Sequence, residues 1–178
     1  YFMAKPYYNP AVAGATEDLN ILALARLEMI GVHGAPKSFF ITADMPLALG
    51  KTNHGVGLVV FTEAIGLFQN THVGAQYAYK YKLFGGVLSG GLQIGLVNQS
   101  FSSEYHQETD AAIPVEQVSG MGLDMNFGIY YTHKRFYAGF GMTHITQPEL
   151  QLDENAYTYI GRSLNLMGGY NIQLKNPL

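Results

Sequence analysis

The sequence predicts an all-β chain, an antiparallel up-and-down transmembrane β-barrel with about eight strands present of a larger barrel. Three observations predict it. Long segments alternate large apolar residues with small or polar ones at period two, which puts every second side chain on one face of a strand. These segments run to roughly 9 to 12 residues, the length of a tilted bilayer span, beyond the usual strand of about 5 to 6. Charged residues make up only 13% of the chain while aromatics also reach 13%, against about 25% charged residues in ordinary soluble domains.

In chain order, residues 1–18 form a segment ahead of the first strand, and the whole of 1–178 is expected to be one barrel domain, cut short at its C-terminal end. The opening Tyr1-Phe2-Met3-Ala4-Lys5 carries no leader pattern, so a signal peptide is expected to have been removed already. Segments near 19–29, 37–48 and 55–63 are rich in Ile, Leu, Val and Phe but alternate less cleanly. From Thr71 to Lys82 the alternation is strict, with Val73, Ala75, Tyr77, Tyr79 and Tyr81 opposing His72, Gly74, Gln76 and Lys80. Leu88, Leu92, Ile94 and Leu96 then oppose Ser89, Gly91, Gln93 and Gly95, and Leu123, Met125, Phe127, Ile129 and Tyr131 oppose Asp124, Asn126 and Gly128. Phe136, Ala138, Phe140 and Met142 oppose Gly139 and Gly141, and Leu164, Leu166, Tyr170 and Ile172 oppose Ser163, Asn165 and Asn171. The glycine-rich second face suits a crowded or curved barrel interior. A soluble β-sandwich with aromatic core faces is the competing fold.

The connections fit a membrane meander. Phe84-Gly85-Gly86 and Thr132-His133-Lys134-Arg135 are tight, whereas 98–120 and 145–158 are long and fall on the opposite side. Tyr77, Tyr79, Tyr81, Tyr131 and Phe136 then gather at the short-turn rim, as an aromatic girdle would. Charge divides the same way. Glu104, Glu108, Asp110, Glu116, Glu149, Asp153 and Glu154 lie in the long loops, and Lys51, Lys80, Lys82, Lys134, Arg135 and Lys175 lie toward the short turns. Lys80, Lys82, Lys134 and Arg135 are therefore candidates for docking an acidic periplasmic partner. Arg26, Glu28, Asp44 and Asp124 are expected to point inward, where charges must pair or be hydrated, and to form a lumen network.

Local motifs follow one another in a recognisable order. Asn9-Pro10-Ala11-Val12-Ala13-Gly14 is followed by Arg26, by Gly31-Val32-His33-Gly34-Ala35-Pro36, by Gly55-Val56-Gly57-Leu58 and Ile65-Gly66, and by Tyr77-Ala78-Tyr79-Lys80-Tyr81-Lys82-Leu83. Asn126-Phe127-Gly128, Tyr130-Tyr131, Phe136-Tyr137-Ala138-Gly139 and Gly169-Tyr170 complete the set. The ordered set resembles the PorP/SprF family of the type IX secretion and gliding machinery, with Asn9, Pro10, Gly14, Gly31, Gly34, Ala35 and Pro36 carrying its motifs. Met29-Ile30 stands where the family commonly has an aromatic residue, and the chain contains no Trp. The resemblance implies a bacterial outer-membrane location in contact with outer-membrane lipid. It also implies partners among type IX components, cargo bearing the C-terminal secretion signal, and periplasmic lipoprotein or ring proteins. Function would be export or surface anchoring of cargo, without catalysis; the alternative is a porin-like channel for small solutes.

Other chemistries find little support. His33, His54, His72, His106, His133 and His144 show no helical metal-ligand spacing and are expected to be structural or solvated. Glu104, His106, Glu108 and Asp110 alternate within a loop without an EF-hand pattern. No Gly-x-Ser-x-Gly occurs, and Gly55-Val56-Gly57 and Gly139-Phe140-Gly141 sit inside strand alternation rather than at a strand-to-helix turn. No catalytic, metal or cofactor site is therefore expected. A net charge of -3 argues against a nucleic-acid partner.

Overall fold

A computed structural model describes residues 4–49, 52–101, 118–153 and 156–172. Its strands are β1 (Asn20–Leu27), β2 (Lys37–Leu49), β3 (Thr52–Ile65), β4 (Phe68–Leu83), β5 (Gly86–Phe101), β6 (Val118–Thr132), β7 (Phe136–Thr143), β8 (Glu149–Asp153), β9 (Ala156–Tyr159) and β10 (Ser163–Tyr170). Eight of them form one antiparallel sheet in the order β1-β2-β3-β4-β5-β6-β7-β10, curled into a half-barrel, and β8-β9 is a separate hairpin. Among the described residues no helix is long and apolar enough to cross a membrane.

The distribution of burial distinguishes the barrel from the sandwich. A soluble sandwich buries its Leu and Ile rows; here Leu92, Ile94, Leu96, Leu123, Leu164 and Leu166 are exposed on the convex face. His72, Gln76, Ser89, Gln93, Asp124 and Asn126 are the buried ones, lining the concave face. That inversion suits lipid outside and a polar interior. Cross-strand register carries the faces from strand to strand, as Ile94 opposite both Ala75 and Met125 illustrates.

Two features of the strands differ from the pattern in the sequence. β4 and β5 each have 16 residues and β6 has 15, longer than the alternating stretches. In β5 and β6 the extra length is a ladder between Asn98–Phe101 and Val118–Met121, beyond the strict alternation. At about 3.3 Å per residue such strands reach roughly 50 Å, more than the apolar band of about 25 Å requires even when tilted. The long connection after β7, in turn, contains the β8-β9 hairpin, which folds back so that Leu150 is fully buried. A Cβ at Gly122 of β6 would meet Pro148 and the Leu150 side chain, so the glycine makes room for this hairpin.

The ends of β2, β4 and β6 lie at one side of the sheet, and the ends of β1, β3, β5 and β7 lie at the other. The β3-β4 connection breaks the expected order, being only Gly66-Leu67 on the long-loop side. It is tied to the neighbouring loop by the Gly66 N–H, which donates to the Gly34 carbonyl at 3.0 Å.

Candidate functional site: a strap in a glycine trough

The segment before β1 lies inside the half-barrel. A single helical turn, α1 (Lys5–Tyr8), leads into a 3₁₀ turn (Pro10–Val12), with Asn9 between them fully buried. Asn9 Oδ1 accepts from the Ala11 N–H at 3.0 Å and so caps the 3₁₀ turn. Its Nδ2 donates to the carbonyls of Ile129 at 3.0 Å and Phe140 at 3.2 Å, pinning this strap to β6 and β7. At its other end the Gly14 N–H donates to Asp44 Oδ2 at 2.7 Å, which ties it to β2. Gly14 has φ +60, and a Cβ there would collide with the Met45 carbonyl, so both conformation and space call for glycine.

What the strap rests on is a row of small residues crossing five strands in register. Gly55 pairs with Ala78, Ala78 with Gly91, Gly91 with Gly128, and Gly128 with Gly141. Each glycine marks a contact with the strap. A Cβ at Gly55 would strike the Ala13 carbonyl, at Gly91 the Ala11 nitrogen, at Gly128 the Asn9 amide, and at Gly141 the Tyr8 carbonyl. Apolar packing adds to this: Ala11 and Val12 bury against Tyr130 and Met167, while Ala4 packs with Phe40 and Val59. Lys5 places its ammonium 4.1 Å over the Tyr137 ring.

On the long-loop side of the strap an open cavity of about 730 Å³ is lined by Tyr7, Tyr8, Phe40, Phe61, His72 and His144 among others. Burial is the main reason the Tyr7 hydroxyl is pushed up to about 12, with Tyr8, Asp124 and Glu63 adding to the effect, so it is a neutral phenol over the physiological range. Beside it Asp124, only 1% exposed, has Oδ2 at 3.3 Å from His72 Nε2 and 3.0 Å from His144 Nδ1. Both are ion-pair contacts when the imidazoles carry a proton. His72 Nε2 also lies 3.3 Å from Gln93 Nε2, Gln93 Oε1 accepts from Gln76 Nε2 at 2.6 Å, and Gln76 Nε2 also donates to the Pro6 carbonyl at 2.6 Å. A polar chain thus runs from Asp124 to the strap.

A family model for type IX secretion system membrane proteins, PorP/SprF, matches residues 1–177. The chain belongs to the PorP/SprF family. It is accordingly a membrane component of the type IX secretion system. No curated protein and no solved structure matches the chain.

The PorP/SprF motif residues fall into two places. Asn9, Pro10 and Gly14 are the strap itself. Gly31, Gly34, Ala35 and Pro36 shape the loop between β1 and β2, where Gly31 and Gly34 adopt φ +95 and φ +71. The Pro36 carbonyl closes that loop by accepting from the Glu28 N–H at 3.0 Å. Of the four charges expected in one lumen network, the structure brings no such network together. Asp44 holds the strap, Asp124 sits between two histidines, and Arg26 pairs with Glu28 at the long-loop end, with 76% and 38% of their side chains exposed. Arg26 and Glu28 sit where β1 runs out into its loop; Arg26 lines the open cavity together with Leu24 and Glu63, while most of its side chain stays in reach of water.

Lys80, Lys82, Lys134 and Arg135 stand at the short-turn end, Lys82 and Lys134 together around the β4-β5 and β6-β7 turns. Tyr131 hydrogen-bonds the Leu83 and Phe84 carbonyls at 3.2 and 3.3 Å, joining those turns, and its ring lies 5.8 Å from Phe136. Lys51, Lys175 and the acidic stretch from Glu104 to Glu116 lie outside the described residues. Among the described residues no group of three His, Asp or Glu is arranged to hold a metal ion.

Sequence reasoning missed the meeting of His72, His144 and Asp124. The inward positions of His72 and Asp124 are legible from alternation, but His144 follows β7 and reaches Asp124 only through the fold. His54 differs again: its Nδ1 meets Tyr77 Oη at 2.6 Å and its Nε2 meets Thr52 at 2.7 Å, within the rim aromatics.

Proposed function

We propose that this PorP/SprF chain acts in the bacterial outer membrane by binding rather than by catalysis, helping the export or surface anchoring of cargo and linking to periplasmic ring or motor components. The observation that carries the linking role is the short-turn rim. Its β4-β5 and β6-β7 turns carry Lys82, Lys134 and Arg135 with no acidic residue between 80 and 89 or between 130 and 138. Such a surface steers and orients an acidic partner, and charge reversal there affects association more than folding. The strap supports binding over conduction, since a segment with a built trough occupies space that a porin leaves to water.

The test is co-purification of type IX components with this chain from native envelopes, comparing the unmodified protein with K134E/R135E. Heat-modifiable migration on gels reports insertion. Loss of the periplasmic components with insertion kept is the expected result; unchanged co-purification overturns the docking role. Conductance of the purified protein in planar bilayers addresses the channel reading, for which a steady open current would be decisive.

A further inference from the structure

We propose that His72 is a proton-operated latch on the strap, one ring nitrogen choosing between Gln93 and Asp124. The argument begins at Pro6, whose carbonyl can only accept. The Gln76 atom 2.6 Å from it must therefore be the amide nitrogen, and the Gln93 atom 2.6 Å from that nitrogen must be the carbonyl oxygen. Gln93 is then obliged to present its NH₂ to His72 Nε2, at 3.3 Å. On its other side the same Nε2 faces Asp124 Oδ2, also at 3.3 Å.

One nitrogen cannot satisfy both. A bare Nε2 accepts from Gln93, keeps the chain to Pro6 intact and leaves Asp124 to His144 Nδ1 alone, at 3.0 Å. A protonated Nε2 donates to Asp124 and confronts the Gln93 amide with a second donor. The structure holds Nε2 poised between the two, 3.3 Å from each partner. When His72 takes a proton from cavity water it carries hydrogens on both nitrogens, so the second arrangement is the one left to it. Gln93, fully buried, must then turn away, its Oε1 leaves Gln76, and Gln76 loses the partner that fixes it against Pro6. A proton at His72 thereby loosens the strap.

The groups facing His72 from each packed element favour this response. Asp124 on β6 attracts the proton; His144, after β7, lies with its ring 6.2 Å from that of His72 and competes for the same carboxylate. Tyr7 on the strap, 6.3 Å ring to ring, is neutral. Glu63 on β3 and Arg26 on β1 share the cavity and carry opposite charges.

The chain has no cysteine, so Ala15→Cys, at the exposed end of the strap, gives a single labelling position. With a fluorophore there in the protein in native-lipid vesicles, anisotropy should fall as pH is lowered from 8 to 5. His72→Asn should abolish the fall and His144→Asn should retain it. Gln93→Leu, which cuts the link between His72 and Gln76, should leave the strap without a response. Hydrogen exchange of the Ala11 and Gly14 amides in the unmodified chain supplies a measurement independent of any variant's folding. After correction for intrinsic chemistry it should speed up by about tenfold across the same range. A pH-independent strap, or a response surviving in His72→Asn, overturns the latch.

Discussion

Asn9 lies directly over Gly128, its side-chain oxygen in the place that a Cβ on residue 128 would fill. The side chain with the most hydrogen bonds in the strap and one glycine of β6 are thus two halves of one fitting. Gly128→Ala should expel Asn9, costing about 1–3 kcal/mol for a methyl forced into packed space. A lowered urea midpoint together with faster exchange of the Ala11 amide would show it. Gly90→Ala, where a Cβ meets nothing within 4 Å, is the matched control and should be close to neutral.

Removing the other half should cost a similar amount for a different reason. Asn9→Ala leaves the Ile129 and Phe140 carbonyls without their extra donor and the 3₁₀ turn without its cap. About 2 kcal/mol is expected from these terms together, read as strap cleavage by added protease at concentrations that leave the unmodified chain intact.

Charge on the convex face should be far worse than charge at the rim. Ile94→Lys, midway along β5 among Val73, Leu96 and Leu123, should cost about 2–4 kcal/mol and reduce heat-modifiable, membrane-inserted protein. Lys82→Glu, at the short-turn end, should leave insertion unchanged. Equal insertion of both variants would contradict a lipid-facing convex surface.

Alkali should loosen the strap through Tyr7. Its hydroxyl is held near 12 when docked against an ordinary 10.0, so the neutral phenol contributes fully below pH 10. Between pH 10 and 12 the released strap ionises first, and docking weakens by at most about 2–3 kcal/mol. Tyr7→Phe should show a smaller loss over that window in the exchange rate of the Ala11 amide.

Much of the wall was legible in the sequence because alternation needs only neighbouring residues. Leu92, Ile94 and Leu96 against Gly91, Gln93 and Gly95 told which face carries the large apolar residues, and the structure keeps that division. The strap was not legible. Gly91, Gly128, Gly139 and Gly141 suggested a crowded or curved interior, but what crowds them is a segment some eighty or more residues away in the chain, which no local pattern encodes. The pairing of Arg26 with Glu28 was not legible either. Period two gives a residue's face but not whether a long side chain at a strand end stays under that face or reaches past it. The β8-β9 hairpin was read as plain loop, since strands of five and four residues offer too few positions for alternation to stand out.

The trough has a bearing on assembly. Its small residues line up only when β3 to β7 are all in their native register, because a slip of one residue turns a glycine outward and swings a Leu, Ile or Tyr into its place. The Asn-Pro-Ala segment therefore works as a gauge. It fits only where the five strands are correctly aligned, so the seating of one short segment reports on the register of the whole wall.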